Sequence, residues 1–276
     1  MPSIVADSCC DLTKEDAKLL GIEYVPFKMS IKDKEFVDDD NFDFDDFINS
    51  MQASDETIKT SCPSPYDFFK AFDARKGDDI FCITISKKLS GTYQSAIIGA
   101  KEYKDKYPNA KIHIFDSKSA SAGESNLAYF LHEKIQEGKD FDSIVCLADK
   151  YIEEMKTFFV LESLDNLLKN GRIKKTTGLL LNVLNIKPAM TDNDGEIELF
   201  KMKRGFKSAL VAIAKHVELA NTKDKILSIV HVDALDKANF LKSKLEENCS
   251  FKKINIIHSK GLASAYGDNG GIILAY

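Results

Sequence analysis

Hydroxyl and small side chains gather at four places in this 276-residue chain. Asp7-Ser8 follows the apolar run Ser3–Ala6, and Thr60-Ser61 comes just before Pro63. Ser86 runs through Leu89 to Ser90-Gly91-Thr92 after the run DIFCITIS. Asp116-Ser117, then Ser119, Ser121 and Gly123, follow IHIF. Hydroxyls and backbone N–H groups at helix starts can hold a carboxylate or phosphate without burying an opposing charge. Ser and Thr are also the preferred helix caps, so any one of these positions is more often structural, by about three to one. Four of them at strand exits or helix entries on one sheet edge, where open α/β sheets bind ligands, bring the functional reading to about even. Ser90-Gly91-Thr92 is the most specific, because glycine lets a ligand approach the backbone.

Other chemistries leave weaker traces. The chain contains no G-x-x-x-x-G-K-[ST], no G-x-G-x-x-G and no G-x-S-x-G, which argues against nucleotide loops and against a nucleophile elbow. His113, His132, His216, His231 and His258 lie within strand or helix candidates, away from the Ser-rich loops. A hydrolase or phosphotransfer enzyme with Ser90 or Ser61 as nucleophile stays open, without a visible base. Asp7 and Asp116 end strands, where they serve equally well as bases or as loop caps. Asp38-Asp39-Asp40 reads as a solvated turn rather than a metal cluster, by about four to one. The six cysteines show no C-x-x-C spacing, and Cys9-Cys10 has no histidine near it in sequence, so no metal is expected. Cys82 and Cys146 sit in apolar runs and are expected to be buried.

These positions need a scaffold, and the hydropathy pattern supplies one. Ser3–Ala6, Asp79–Ser86 and Lys111–Phe115 read as strands; Pro26 makes Ile22–Phe27 an edge strand or a strand end. Helical spacing covers Phe42–Met51, Pro65–Arg75 (capped by Ser64), Ser90–Tyr103, Ala120–Glu137 and Phe141–Met155. Strand and helix in alternation predict a mostly parallel sheet with helices on both faces. The texture changes near residue 156. Thr157–Leu161 is a strand candidate, Ser163–Lys169 a short helix, and Asp192–Gly195 a hairpin signal within a partly antiparallel half. Arg204–Ala220 and Ala234–Glu247 are helical, and Lys225–Val232 and Lys253–His258 are strands. The expected architecture is α/β with two domains, 1–156 and a mixed α/β domain at 157–276.

Composition agrees with a packed globular protein: 44% hydrophobic, 29% charged, with 14 Gly, 6 Pro, 18 Phe and no Trp. A net charge of −5 disfavours nucleic acid and anionic membranes as partners. MPSIVADSC lacks the features of a secretory signal, and charge-free stretches such as Thr176–Ile186 fall short of a membrane span. A cytoplasmic protein without stable membrane insertion is the expectation.

The same motifs resemble the DegV family of bacterial fatty-acid-binding proteins, over essentially the whole length. The resemblance rests on Asp7-Ser8 with Asp11-Leu12, on Thr60-Ser61-Cys62-Pro63-Ser64, and on Ile85-Ser86 running to Leu89-Ser90-Gly91-Thr92-Tyr93-Gln94-Ser95-Ala96. It continues through Phe115-Asp116-Ser117, Leu167 to Gly171-Arg172-Ile173, Lys187-Pro188, and Gly195 through Lys203-Arg204-Gly205 to Lys207 and Ala209-Leu210. The resemblance implies a long-chain fatty acid such as hexadecanoate buried between two domains, with no further cofactor. It implies that Thr60, Ser61, Ser90 and Gly91 hold the carboxylate, with Arg172, Tyr266, Ser8 and Asp116 as a second tier around the head group or partner site. In some relatives a separate ATP-dependent kinase phosphorylates the bound acid, so the chain alone would be a carrier and not the catalyst. A regulatory sensor that reports lipid occupancy to a protein partner is the further alternative.

One position departs from that pattern. Many relatives carry a histidine in a C-terminal segment resembling A-H-x-G-x-G-G, and this chain has Ala265-Tyr266-Gly267-Asp268-Asn269-Gly270-Gly271. Tyrosine can donate a hydrogen bond to a carboxylate but carries no positive charge at neutral pH. Burying roughly fourteen methylenes at about 0.8 kcal/mol each offers on the order of 11 kcal/mol, against an association cost of about 4–15 kcal/mol. The pocket must therefore fit closely. The phenylalanines and the Leu-rich stretch Leu161–Leu184 are candidate lining, though any single one is more often core.

Overall fold

Ser3–Asp7 (β1) and Ile80–Thr84 (β6) are continuously buried apolar runs, the pattern of strands covered on both faces. In the computed structural model, which describes residues 2–174 and 185–276, they form the centre of a four-stranded parallel sheet. Glu23–Val25 (β2) and Ile112–Asp116 (β7) flank them in the order β2-β1-β6-β7. The Pro26 expectation holds, since β2 is an edge strand. Alternate residues face opposite layers. Ile4, Ala6, Phe81, Ile83 and Phe115 pack with Leu127, Leu131, Ile144 and Ala148 of α5 (Ala122–Gln136) and α6 (Phe141–Glu154). Val5, Ile80, Cys82 and Ile114 pack with Phe68, Phe72, Ala96 and Tyr103 of α3 (Pro65–Ala74) and α4 (Thr92–Lys106). Helix α3 begins as its sequence predicts: Ser64 and Asp67 form a capping box, with Pro65 in the first turn.

The second sheet has six strands in the order β10-β9-β8-β13-β11-β12. Thr157–Val160 (β8), Ile186–Asn193 (β9), Glu196–Arg204 (β10) and Ile272–Ala275 (β13) run antiparallel to their neighbours, and only Ile226–His231 (β11) and Lys253–His258 (β12) pair in parallel. Asp194 and Gly195 turn the β9–β10 hairpin with φ of 47° and 82°, which fits the right-handed strand twist. Phe206–Val217 (α8) and Leu235–Glu246 (α9) cover one face through Leu210, Ile213, Val217, Leu241 and Leu245. Helix α5 lies against the other face. Ala122 packs with Val230, Ile257 and Ala275, and Asn126 Nδ2 donates to the Ala275 carbonyl at 2.8 Å. One helix is thereby shared between the two sheets.

Several elements were not anticipated. Lys28–Ile31 (β3), Lys34–Val37 (β4) and Lys59–Ser61 (β5) form a small antiparallel sheet. It packs with α2 (Phe44–Gln52) and with Leu262 and Ala265 of α10 (Gly261–Gly267). Lys14–Leu20 (α1), α10 and β13 complete the set, and β13 is a central strand made of nearly the last residues. Cys146 is a correction: it is exposed, because Ile144, Ala148 and Ile152 take the buried face of α6. Asp38 is another, for it is 3% exposed rather than solvated. Among the described residues no helix is long and apolar enough to cross a membrane. Residues 175–184 of the Leu-rich stretch lie outside the described residues.

Candidate functional site

The carboxyl ends of β6 and β7 open onto a cavity lined mainly by apolar side chains. Ile85, Leu89 and Ser90 line it from the loop after β6, and Lys118–Ser121 from the loop after β7. The face of the second sheet contributes Phe159, Ile197 and Ile273, and α10 contributes Leu262, Ala263 and Tyr266. Of the phenylalanines only Phe27 and Phe159 are among the lining residues; the others that are buried belong to the sheet cores. Leu161 and Leu167 line the cavity, beside Leu164, Ile173 and Met190 in one buried cluster.

Of the eight residues proposed around the head group, Thr60, Ser90, Arg172 and Tyr266 line this cavity, as do the loop hydroxyls Ser119 and Ser121. Thr60 Oγ1 and Tyr266 OH are 2.8 Å apart, and Ser90 Oγ is 2.8 Å from Thr92 Oγ1 at the first residue of α4. Arg172 Nε donates to the Leu89 carbonyl at 3.3 Å, and its Nη1 donates to the Asn170 carbonyl. Among the described residues no carboxylate comes within ion-pair distance of its guanidinium. A cation with no carboxylate partner among the described residues thus lines the same cavity as the Thr60–Tyr266 pair and Ser90. Ser61 and Gly91, next in the chain to Thr60 and Ser90, are exposed and do not line the cavity.

Two asparagines that the sequence did not flag hold these pieces together. From α7 (Asp165–Lys169) and the residue after it, Asn166 Nδ2 donates to the Ala265 carbonyl at 3.0 Å and Asn170 Nδ2 to the Ile58 carbonyl at 3.1 Å. These bonds tie the Arg172 turn to α10 and to the approach to β5. No local sequence signal could reveal them, because both partners are distant main-chain carbonyls.

Ser8 and Asp116 are not among the residues that line the cavity. Ser8 Oγ donates to Asp38 Oδ2 at 2.9 Å and accepts from Phe27 N. Asp38 in turn accepts from Gly261 N at 2.9 Å and Leu262 N at 3.0 Å, at the start of α10. Burial pushes the Asp38 carboxyl above its ordinary range, against the pull of those bonds. Asp116 accepts from the amides of Lys87 and Lys118, each at 3.1 Å, and so shapes both loops. Asp7 also acts as a loop cap, accepting from Cys9 N at 3.0 Å and Ile85 N at 2.8 Å.

The DegV family model matches residues 2–269. A DegV domain-containing protein of Streptococcus gordonii is 33% identical over 276 residues, covering 99% of this chain and 98% of its own. A DegV family protein from Ruminococcus gnavus, solved with vaccenic acid, superposes with a TM-score of 0.92 at 34% identity, covering 100% and 99% of the two chains. The Fatty Acid Kinase (Fak) B3 protein of Streptococcus pneumoniae, loaded with linoleic acid, gives a TM-score of 0.91 at 31% identity with the same coverage.

Proposed function

This chain belongs to the DegV family, and on that premise we propose that it binds a long-chain fatty acid in the cavity, with the carboxylate at the Thr60, Ser90, Tyr266 and Arg172 end. The observation that carries this reading is Arg172, a guanidinium fixed by two carbonyls yet free of any carboxylate among the described residues, at one end of a cavity walled by Ile85, Phe159, Leu161 and Leu262. Such a cation supplies a charge-assisted hydrogen bond to a carboxylate. The neutral hydroxyls supply the remaining donors without further desolvated charge. Residues 1–156 and 157–276 act as the two units that enclose the acid, with α10 closing over the small sheet. Solved relatives carrying vaccenic and linoleic acid support the ligand class.

The exposure of Ser61 and Gly91 beside the head-group end favours presentation of the carboxylate to a separate kinase, the role suggested by the relative named for fatty acid kinase. Ser90 Oγ has a threonine hydroxyl rather than a base as its partner, which disfavours the hydrolase reading. The binding step needs no cofactor, and we place it in the cytoplasm, with the unpaired exposed thiols Cys62 and Cys146 in accord with a reducing compartment. Organic extraction of the purified protein followed by mass spectrometry tests the reading. About one long-chain acid per chain is expected; protein that neither retains nor takes up such an acid would refute it.

A further inference from the structure

Below the cavity floor lies a group of buried acidic side chains that lipid binding does not use. Asp7, Asp11 and Glu124 are fully buried and Asp38 is 3% exposed. Asp11 is matched by the Ser121 hydroxyl and the Lys260 amide, and Asp38 by Ser8 and the start of α10. Glu124, in the first turn of α5, is not matched. Neither of its carboxylate oxygens has a hydrogen-bond partner, and leaving such a group unsatisfied in the interior is costly. It faces the Asp7 carboxyl and the Cys9 thiol, and one ligand atom from each of the three lies within 4.8 Å of the other two. Among the described residues no cation pairs with Asp7 or Glu124. Lys260, whose charge reaches Asp11 and Asp38, places its ammonium over the Tyr24 ring instead.

We infer that Asp7, Cys9 and Glu124 form a site for one divalent transition-metal ion of the zinc class. Bonds of roughly 2.0–2.3 Å about a tetrahedral ion space its ligand atoms about 3.5 Å apart, so small side-chain adjustments close the triad. Two carboxylates with one thiolate select Zn²⁺ or Co²⁺ over Mg²⁺ or Ca²⁺, which favour oxygen alone. The ligands are already oriented. Each Asp7 oxygen takes one backbone N–H and keeps a free lone pair, while Cys9 Sγ accepts from Ser121 N at 3.4 Å. Outer hydrogen bonds of this kind are what hold metal ligands in place. A proton shared between Glu124 and Asp7 would give one Glu124 oxygen a partner but leave the other unsatisfied; an ion between the three groups would serve both carboxylates and the thiol. Cys9 also lines the cavity, which gives the ion a route inward. The site does not depend on what fills the cavity. Spacing between cysteines and histidines could not have shown it, because two ligands are carboxylates and one lies more than a hundred residues away.

The test uses the full chain with Cys62→Ser and Cys146→Ser, which removes the exposed thiols, stripped with chelator and dialysed against Zn²⁺ or Co²⁺. One ion per chain is expected, with a thiolate-to-Co²⁺ charge-transfer band and a rise in Tm on adding Zn²⁺. Glu124→Gln should weaken Zn²⁺ binding at least tenfold and abolish the rise in Tm, and Cys9→Ser should remove the charge-transfer band. Glu124→Gln is isosteric and takes a lone carboxylate out of the interior, so it tests the site even if Cys9→Ser fails to fold. No stoichiometric ion, or equal binding by the parent and Glu124→Gln, would overturn the inference.

Discussion

Thr60 Oγ1 and Tyr266 OH sit 2.8 Å apart across 206 residues of sequence, joining the small antiparallel sheet to α10 at the edge of the cavity. By the motif resemblance, Tyr266 stands where many DegV relatives carry a histidine. Its phenol is hydrogen-bonded with Thr60, so in the proposed site the positive charge comes from Arg172. Removing the hydroxyl in Tyr266→Phe should weaken fatty-acid retention by about 1 kcal/mol, roughly fivefold. Tyr266→His would place a group titrating near pH 6.5 beside the carboxylate. Protonated below that pH, it attracts the anion, so retention by the variant should tighten as pH falls from about 8 to 5.5 relative to the parent. Acyl-probe displacement across that range measures both effects. A Tyr266→His profile parallel to the parent's would show that residue 266 does not meet the head group.

Arg172 is the only cation assigned to the head group, and its two carbonyl partners fix its place. Arg172→Met should lose about 1.5–3 kcal/mol of binding, with the lower end expected because the side chain is only half-buried. That corresponds to an affinity loss on the order of tenfold. Arg172→Lys keeps the charge but not the fork that reaches the carbonyls, and should fall between the two. Titration with a fluorescent acyl probe checks the order. If Arg172→Met binds as tightly as the parent, the carboxylate lies at another part of the cavity.

Much of the scaffold was legible because its signals are local. DIFCITIS announces a strand covered on both faces, Ser64-Pro65 a helix start, and Asp-Gly a hairpin, and each occurs where the spacing places it. What escaped was decided at long range. Strands β3, β4 and β5 carry Lys28, Lys34, Glu35 and Lys59 and span three or four residues each; only their packing against α2 and α10 makes them a sheet. Ile272–Ala275 is too short to declare itself, yet it pairs with both β8 and β11. Within the site, the hydroxyls and Arg172 were readable by type. Asn166 and Asn170 were not, nor was Asp38, whose acidic neighbours suggested solvent while its partners lie at positions 261 and 262.

That reassignment of Asp38 has consequences for stability. Its two oxygens cap α10, and a methyl at Gly261 would come within 2.8 Å of one of them, so the fit is close. Asp38→Asn puts an N–H donor against the Leu262 amide or the Ser8 hydroxyl, and should cost about 1–3 kcal/mol. The pH dependence follows from burial, which raises the folded-state pKa above its unfolded value. The folded protein therefore holds this proton more tightly, and the stability it contributes is fullest below the unfolded pKa and lost as pH rises through the folded one. The deficit of Asp38→Asn should accordingly be larger in mild acid than at neutral pH, as read from urea midpoints. A deficit that grows with rising pH would contradict this account.

The last contact of consequence joins the two sheets across the cavity. Ser86 Oγ, after β6, donates to the Gly195 carbonyl at 2.8 Å, and Lys118 Nζ lies 2.6 Å from Asp194 Oδ1. Gly195 adopts φ of +82°, and a methyl there would strike Ser86 Oγ. Gly195→Ala therefore adds backbone strain of about 1 kcal/mol and displaces the buried hydroxyl that anchors the hairpin tip, at a further cost of about 1–3 kcal/mol. Lys118→Met removes ion pairs with two exposed partners, Asp194 and Glu153, and should cost about 1 kcal/mol or less. Because the hairpin walls the cavity through Gly195, Glu196 and Ile197, a displaced tip should also speed release of bound acid. Gly195→Ala is thus expected to lower the urea midpoint and raise the off-rate of an acyl probe, with Lys118→Met close to the parent in both. If the two variants behave alike, the Ser86–Gly195 bond does not hold the cavity closed.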